Sequence, residues 1–313
     1  MVPIPMRRIL CAGFRTPRTP ISPSSSSSSL RLYSTAPASA RVRLVYDHHA
    51  ARSPEADPKD SPIIFLHGLF GSKKNNRTVC RALARQLDRH VYALDLRNHG
   101  ESPHAPQHNY LAMADDVVGF IHNHGLQKPS LIGHSMGAKT AMTLALSQPD
   151  LPRDIVAVDN APVDAVLSSS FAQYIQGMRR IEEAGVSKQS EADAILQEYE
   201  KELPIRQFLL GNLARAGESG KYQFRVPLDV LARSLGHLGD FPFKDPSAAR
   251  YAGPALFVRG TRSRYVPDEV LPLVGQFFPR FELVDVDAGH WVISEKPEEF
   301  LNAVIEFLKP KEE

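Results

Sequence analysis

Two patterns of hydrophobic and polar positions alternate along the central part of the chain. Apolar runs of strand length, such as "IIFLHG" (63–68) and "VYALDL" (91–96), are separated by segments with helical spacing, such as "TVCRALARQL" (78–87). The alternation continues through "SLIGHS" (130–135) to "DIVAVDNAP" (154–162). Further elements predicted on the same grounds are a strand at 41–47 and helices at 110–125 and 137–149. Buried strands that alternate with helices over short connections are typical of an α/β fold with a mostly parallel central sheet.

The alternation stops after residue 162 and returns near residue 255. Residues 163–245 contain helical segments, among them "PIRQFLLGNLARA" (204–216), and no convincing buried strand. Strand patterns then reappear in "ALFVRG" (255–260) and "FELVDVDAGH" (281–290), before a closing helix at 297–308. We therefore expect a core made of residues 41–162 and 246–309, with a helical lid inserted at residues 163–245.

The N-terminal segment has the composition of an organelle-targeting sequence. No Asp or Glu occurs between Met1 and Tyr46, whereas Arg recurs and residues 24–29 are all Ser. A basic, Ser-rich, acid-free N-terminus is typical of a transit peptide. "RLYS" (31–34) resembles a mitochondrial matrix processing site. We expect residues 1–33 to be a disordered mitochondrial transit peptide and the mature protein to reside in the matrix; a merely disordered basic tail is the alternative.

Composition and charge exclude several classes of function. The 313 residues are 42% hydrophobic and 23% charged, and no apolar run is long enough to predict a transmembrane segment. Loss of residues 1–33 would remove five Arg and lower the Lys plus Arg count from 37 to 32 against 35 acidic residues, which argues against a nucleic-acid partner held by bulk charge. Only Cys11 and Cys80 are present, the histidines lack metal-site spacing, and no phosphate-binding glycine loop occurs. No metal and no cofactor is therefore implied.

A serine stands between two glycines where the third buried strand meets a helix. The run "GHSMG" (133–137) holds Ser135 in the order G-x-S-x-G. Between a strand and a helix, this motif exposes the serine on a tight turn at the carboxyl edge of a sheet, and the N-terminus of the helix favours developing negative charge there. The context predicts that Ser135 is a nucleophile rather than an ordinary turn serine.

The predicted general base follows the last buried strand. "DAGHWVISEKP" holds His290 in a Gly-flanked turn. An imidazole can take the proton of a serine near neutral pH, and the histidine comes last in the chain order typical of this motif. His67, His99 and His134 also lie near strand ends, and we interpret them as parts of the loop scaffold.

Two backbone N–H groups are predicted to form an oxyanion hole. The residue after the nucleophile, Met136, is expected to supply one of them. The loop "HGLFGS" (67–72) follows the first buried strand, and we expect the second N–H to come from Leu69, with Phe70 as the next candidate.

Six motifs together carry a family resemblance. "FLHGLFGSKKNN", "LDLRNHGESPH", "GHSMGAKTAM", "VDNAPVD", "FRVPLD" and "DAGHW" resemble the α/β-hydrolase superfamily, and more narrowly its mitochondrial abhydrolase domain-containing protein 11-like group, with related bacterial esterases and the yeast ethanol acetyltransferase branch. The resemblance covers residues of about 41 to 309. It implies an α/β-hydrolase fold with a lid over the serine. Ala138 departs from the pattern, since a second Gly is usual there, but a small residue should preserve the turn.

The sequence offers more than one candidate for the acid of the triad. Many α/β-hydrolases carry it after the strand that corresponds to "ALFVRG", but residues 261–264 here contain no carboxylate. Asp159 instead ends the strand that follows the nucleophile helix, at the edge of the sheet where sites form. The resembling esterases and acetyltransferases place their acid on that strand, which matches Asp159. Asp229 in "FRVPLD" is the next candidate and Asp268 the third.

These residues predict a serine hydrolase that cleaves carboxylic esters or thioesters with short to medium acyl chains. A small-molecule acyl ester or thioester is the expected partner. Two alternatives remain at this stage. An alcohol could replace water at the acyl-enzyme, which would make the protein an acetyl-CoA-dependent alcohol acyltransferase. A catalytically silent hydrolase fold used for protein binding is the alternative from another class.

Overall fold

One eight-stranded sheet organises the molecule. The computed structural model describes residues 9–10, 41–165, 169–217 and 220–309. The strands of the main sheet are β1 Ile9–Leu10, β2 Tyr46–His49, β3 Ile63–Leu66, β4 Val91–Leu94, β5 Ser130–His134, β6 Asp154–Val158, β9 Ala255–Gly260 and β10 Phe281–Val286. Two further strands, β7 Leu213–Ala216 and β8 Lys221–Phe224, pair with each other. The order in the main sheet is β1-β10-β9-β6-β5-β3-β4-β2.

The sheet is parallel except at its edges. The six strands from β4 to β10 in that order run parallel, whereas β2 and β1 pair antiparallel with β4 and β10. Because parallel neighbours end on the same side, the loops after β3, β5, β6, β9 and β10 meet at one edge of the sheet.

Helices cover both faces of the sheet. They are α1 Arg77–Leu87, α2 Tyr110–His124, α3 Met136–Ser147, α4 Ser169–Ala184, α5 Gln189–Leu196, α6 Leu203–Leu210, α7 Leu228–Gly239, α8 Leu271–Phe277, α9 Val292–Glu295 and α10 Pro297–Leu308. Successive residues of β3 belong to different buried clusters: Ile64 and Leu66 pack in one, Ile63 and Phe65 in the other. A strand buried on both faces explains the uninterrupted apolar run at this position, and the α/β-hydrolase architecture is confirmed.

The segment at residues 163–245 differs from the predicted all-helical insertion. It contains α4, α5, α6 and α7, but residues 213–216, predicted as the end of a helix, form strand β7 of a hairpin with β8. The physical cause is the turn between the strands, where Gly217 and Gly220 adopt positive φ angles of 44° and 65°. Tertiary pairing here overrides the helix propensity of "LARA".

The two ends of the described chain add little to the site. Strand β2 begins five residues later than the predicted strand at 41–47. The predicted transit peptide covers residues 1–33. Only Ile9 and Leu10 of this segment are described, and they form β1; the rest lies outside the described residues. None of the helices in the described ranges combines the length and the apolar character needed to cross a bilayer.

Candidate active site

Ser135 occupies a strained turn between β5 and α3. Its φ and ψ angles are 53° and −111°, a combination that L residues rarely adopt. The surrounding backbone holds it in place: Ser135 N–H donates to the Val158 carbonyl at 2.9 Å, and the Ser135 carbonyl accepts from Ala138 N–H at 3.0 Å and from the Asn160 side-chain amide at 3.2 Å. The strain is therefore paired with hydrogen bonds that fix the serine at the carboxyl edge of the sheet.

The two glycines of the motif are required by close backbone contacts. A Cβ atom at Gly133 would lie 2.2 Å from the Gly137 carbonyl oxygen. A Cβ atom at Gly137 would lie 2.3 Å from the Leu66 carbonyl oxygen, in the neighbouring strand β3. Any side chain at either position would push the turn away from the sheet, so the glycines allow the approach that presents Ser135.

His290 lies within hydrogen-bond distance of both predicted partners. Its Nε2 is 2.9 Å from Ser135 Oγ, and its Nδ1 is 2.7 Å from Asp159 Oδ2. A neutral imidazole with its proton on Nδ1 donates to the carboxylate and accepts from the serine hydroxyl. The three side chains thus have the arrangement that can make a hydroxyl nucleophilic.

Asp159 is a buried carboxylate with three donors around it. It too has a positive φ, 50°. Its Oδ1 accepts from Gly260 N–H at 3.0 Å, whereas Oδ2 accepts from His290 Nδ1 and from the Ser263 hydroxyl. These three hydrogen bonds satisfy the oxygens of the buried carboxylate and hold it in place.

The two alternative carboxylates lie elsewhere. The Asp229 side chain is 76% exposed and pairs with Arg179, and that of Asp268 is 80% exposed and pairs with Arg259. Of the three candidates, the structure brings only Asp159 to His290.

The remaining histidines near the strand ends hold loops, as predicted. His67 Nε2 accepts from Leu96 N–H at 3.0 Å, and His99 Nε2 accepts from Phe70 N–H at 3.1 Å. His134 Nε2–H donates to the His290 carbonyl at 2.9 Å. Burial and the neighbouring His290 lower the pKa of His134 to about 4, so His134 is neutral near pH 7 and holds the His290 loop as a hydrogen-bond donor.

The two predicted oxyanion-hole groups are not used in hydrogen bonds of their own turns. Within the described part of the chain, the backbone N–H groups of Leu69 and Met136 have no hydrogen-bond acceptor. Phe70 N–H, the other candidate, is already bonded to His99 Nε2. Phe70 also has a positive φ of 61°, which marks the bend of the loop after β3. This difference favours Leu69 over Phe70.

A mainly apolar cavity of about 650 Å³ opens onto Ser135. Its volume lies within the range of small-molecule sites. One wall carries Phe171 of α4 and Pro204, Ile205 and Phe208 of α6. The opposite side includes Val79, Trp291 and Ile293. Phe208 and Trp291 meet in an edge-to-face contact with ring centroids 4.8 Å apart. Side chains of α4 and α6 therefore form one wall of the cavity that opens onto Ser135.

Several contacts around the site escaped sequence reasoning. Asn160 ties down the nucleophile turn, and Ser263 and Tyr265 contact Asp159 and His290 from the loop after β9. Phe208 and Trp291 line the cavity. Asn160 and Trp291 are the sequence neighbours of Asp159 and His290, so their positions could have been predicted. No motif in the sequence around Ser263, Tyr265 or Phe208 indicates a role at the site. Within the described residues, no three potential metal-ligating side chains converge.

Comparison with known proteins identifies the family to which the fold belongs. The chain matches the family described as "alpha/beta hydrolase fold" over residues 61–297. It is 42% identical to a probable alcohol acetyltransferase of Saccharomyces cerevisiae, over 80% of this chain and 78% of that protein. It is also 42% identical to the sn-1-specific diacylglycerol lipase ABHD11 of Xenopus laevis, over 79% and 80% of the two chains. A solved marine microorganism esterase superimposes with a TM-score of 0.78 at 31% identity, over 85% of this chain and all (100%) of that one. The chain therefore belongs to the α/β-hydrolase fold family.

Proposed function

We propose that this protein is a serine hydrolase that cleaves carboxylic esters or thioesters with short to medium acyl chains through an acyl-enzyme on Ser135. One observation carries the proposal: Ser135, His290 and Asp159 are linked by hydrogen bonds at the wall of an apolar cavity. The Ser135 Oγ–His290 Nε2 distance is 2.9 Å and the His290 Nδ1–Asp159 Oδ2 distance is 2.7 Å. The esterase and lipase names among its relatives support the same reaction class.

Acylation begins when Ser135 Oγ attacks the carbonyl carbon of the substrate. The hydroxyl proton moves to His290 Nε2, and Asp159 stabilises the imidazolium that forms. The oxyanion of the tetrahedral intermediate accepts hydrogen bonds from the Leu69 N–H and from the N–H of Met136, the first residue of α3. The carbon–oxygen or carbon–sulfur bond then breaks, and His290 returns its proton to the leaving alcohol or thiol.

Deacylation repeats these steps with a new nucleophile. Water gives one proton to His290 and attacks the acyl-enzyme, and collapse of the second intermediate releases the carboxylic acid and restores Ser135. The apolar lining that includes Phe171, Ile205 and Phe208 favours an acyl chain. The same lining limits water around the acyl-enzyme.

Acyl transfer to an alcohol is the second candidate. Its support is the 42% identity to a protein named a probable alcohol acetyltransferase. The chemistry differs in one step, because an alcohol gives its proton to His290 in place of water and the product is a new ester. A donor such as acetyl-CoA would load Ser135 first, and the alcohol would then take the acyl group.

A fluorophosphonate probe tests the common step of both candidates. An activated serine attacks the phosphorus, so the wild-type protein should label and Ser135→Ala should not. Removal of the nucleophile should lower turnover by a factor on the order of 10⁶. An unlabelled wild-type protein that hydrolyses no ester would instead support the silent, protein-binding alternative. If Ser135→Ala kept more than about a hundredth of the wild-type rate, the nucleophile would be another residue.

A substrate screen separates hydrolysis from transfer. Acyl esters and thioesters of increasing chain length are incubated with and without ethanol, and both free acid and new ester are measured. A hydrolase produces free acid whether or not ethanol is present. A transferase produces new ester in proportion to the ethanol concentration. The same esters or thioesters acylate Ser135 in hydrolysis and in transfer.

The chain organisation and location belong to the same proposal. Residues 163–245 act as the lid on a core formed by residues 41–162 and 246–309, which is supported by the cavity lining from α4 and α6. Residues 1–33 direct the protein to the mitochondrial matrix and are removed there, as their acid-free Arg and Ser composition indicates. N-terminal sequencing of the native protein should begin near Tyr33 or Ser34, and a native chain that starts at Met1 or Val2 would contradict this.

A further inference from the structure

We propose that Ser263 and Tyr265, on the loop after β9, are positioning residues that set the orientation and the basicity of His290. The proposal rests on the proposed function, because it assigns these residues to the same Ser135–His290–Asp159 site. Neither residue is among those that line the cavity, so both would act through His290 and Asp159 rather than on the substrate.

Ser263 shares an oxygen atom with His290. Its hydroxyl donates to Asp159 Oδ2, the atom that also accepts from His290 Nδ1. Tyr265 N–H donates to Ser263 Oγ at 3.3 Å, which directs the hydroxyl proton toward the carboxylate. A donor on Oδ2 spreads the negative charge of Asp159, so less of it is available to stabilise an imidazolium. Ser263 therefore lowers the basicity of His290 while it holds the carboxylate in place.

Tyr265 covers one face of the imidazole. The two ring centroids are 4.2 Å apart, with planes inclined by 32°. An aromatic face at this distance attracts a cation, so the ring stabilises His290 in its protonated state. Tyr265 therefore raises the basicity of His290, in the opposite sense to Ser263. It also limits rotation of the imidazole between Ser135 and Asp159.

Other titratable and charged groups also surround His290. Asp159 faces Nδ1 from the end of β6, and Ser135 faces Nε2 from the end of β5. His134 lies with its ring centroid 5.1 Å away, and its lowered pKa keeps it neutral. Glu295 of α9 accepts from Gly289 N–H and pairs with Arg262. None of these contacts involves Ser263 or Tyr265.

The two residues predict shifts of opposite sign in the pH profile. Because the base must be neutral in the free enzyme, the acidic limb of kcat/KM depends on the interactions of that base with the groups around it. Loss of the Ser263 hydroxyl concentrates charge on Asp159 and should move the limb up by about one pH unit. Loss of the Tyr265 ring should move the limb down by about half a unit or more. A role in loop folding alone would move neither limb.

The experiment compares Ser263→Ala and Tyr265→Leu with two matched controls. Ser263→Thr keeps the hydroxyl and Tyr265→Phe keeps the ring, so both should retain the wild-type profile. Tyr265→Leu keeps the imidazole covered, which separates loss of the aromatic face from exposure to water. Each variant is assayed with one neutral ester, and a fluorophosphonate titration corrects for the folded fraction. KM should stay near its wild-type value while kcat falls in the two test variants.

Opposite shifts in the two test variants, with unmoved controls, would support the proposal. Unmoved limbs, or shifts in the same direction, would overturn it. If a test variant does not fold, Ser263→Val and Tyr265→Met repeat the comparison, because Val has the shape of the Thr control without its hydroxyl and Met fills space without an aromatic ring. A wild-type protein without esterase activity would refute the proposed function itself, and an active wild type with unmoved limbs would refute only the positioning roles.

Discussion

Replacement of Asp159 by Asn should nearly abolish turnover while the fold survives. The substitution keeps the shape of the side chain and removes its charge. Two orientations of the new amide are available, and the surroundings discriminate between them. If the amide nitrogen faced Gly260 N–H, two donors would oppose each other in a buried place, at a cost of about 1–3 kcal/mol. The amide nitrogen should therefore face His290 and Ser263.

That orientation places a donor opposite His290 Nδ1. The imidazole must then carry its proton on Nε2, where it faces Ser135 Oγ, and it can no longer accept the serine proton. The Ser263 hydroxyl can rotate to accept from the amide, so the fold adapts locally. The wrong tautomer lowers kcat by about 10⁴ in the serine-protease precedent, which corresponds to about 5 kcal/mol in the activation barrier.

Steady-state hydrolysis of a chromogenic short-chain ester measures the loss of kcat, and thermal unfolding measures the fold. Asp229→Asn and Asp268→Asn are the controls, because both carboxylates are exposed and pair with surface arginines. We expect both controls to retain near-wild-type kcat. The reasoning fails if Asp159→Asn keeps more than about a hundredth of the wild-type kcat, or if either control loses as much activity as Asp159→Asn.

Two further predictions concern stability. Gly137→Ala should destabilise the protein by about 1–3 kcal/mol or more, because the new Cβ would lie 2.3 Å from the Leu66 carbonyl oxygen. The control is Gly236→Ala in α7, where a Cβ would have no atom within 4 Å. This control should be neutral or stabilising in the same chemical denaturation assay. Equal effects of the two substitutions would refute the steric reading. Burial lowers the pKa of Lys139 from 10.5 to about 8, so the unfolded chain binds more protons between these values and stability should rise with pH across that window. Denaturation of Lys139→Met over the same window should lack this contribution, and a wild type and variant with parallel pH dependence would contradict it.

Local patterns predicted the sheet and two of the three residues in the hydrogen-bonded series. Ser135 follows β5 directly and His290 lies in the short loop after β10, so strand-length apolar runs place them at one edge of the sheet. Asp159 also follows a strand at that edge, and its choice over Asp229 and Asp268 rested on this position together with the family resemblance. Exposure separates the three in the structure, and exposure depends on the packing of the whole chain.

Contacts between distant residues account for what the sequence did not predict. Ser263 and Asp159 are 104 positions apart, and no periodicity relates a loop serine to a strand-end carboxylate over that separation. Helix α6 has other apolar residues besides Phe208, such as Leu209 and Leu210, so Phe208 could not be distinguished from core residues of the same helix. Hairpin β7–β8 was missed because its first strand consists of good helix formers and its glycine turn lies outside that window.

The position of Trp291 gives the molecule an intrinsic optical probe. It is the single tryptophan of the 313 residues, and its ring lies 6.0 Å from that of His290 and 4.8 Å from that of Phe208. All tryptophan emission therefore originates beside the imidazole and against helix α6. Separation of the indole from Phe208 would admit water and shift its emission to the red. Unlabelled protein in a fluorimeter can thus report in real time when α6 moves away from the loop that carries Trp291.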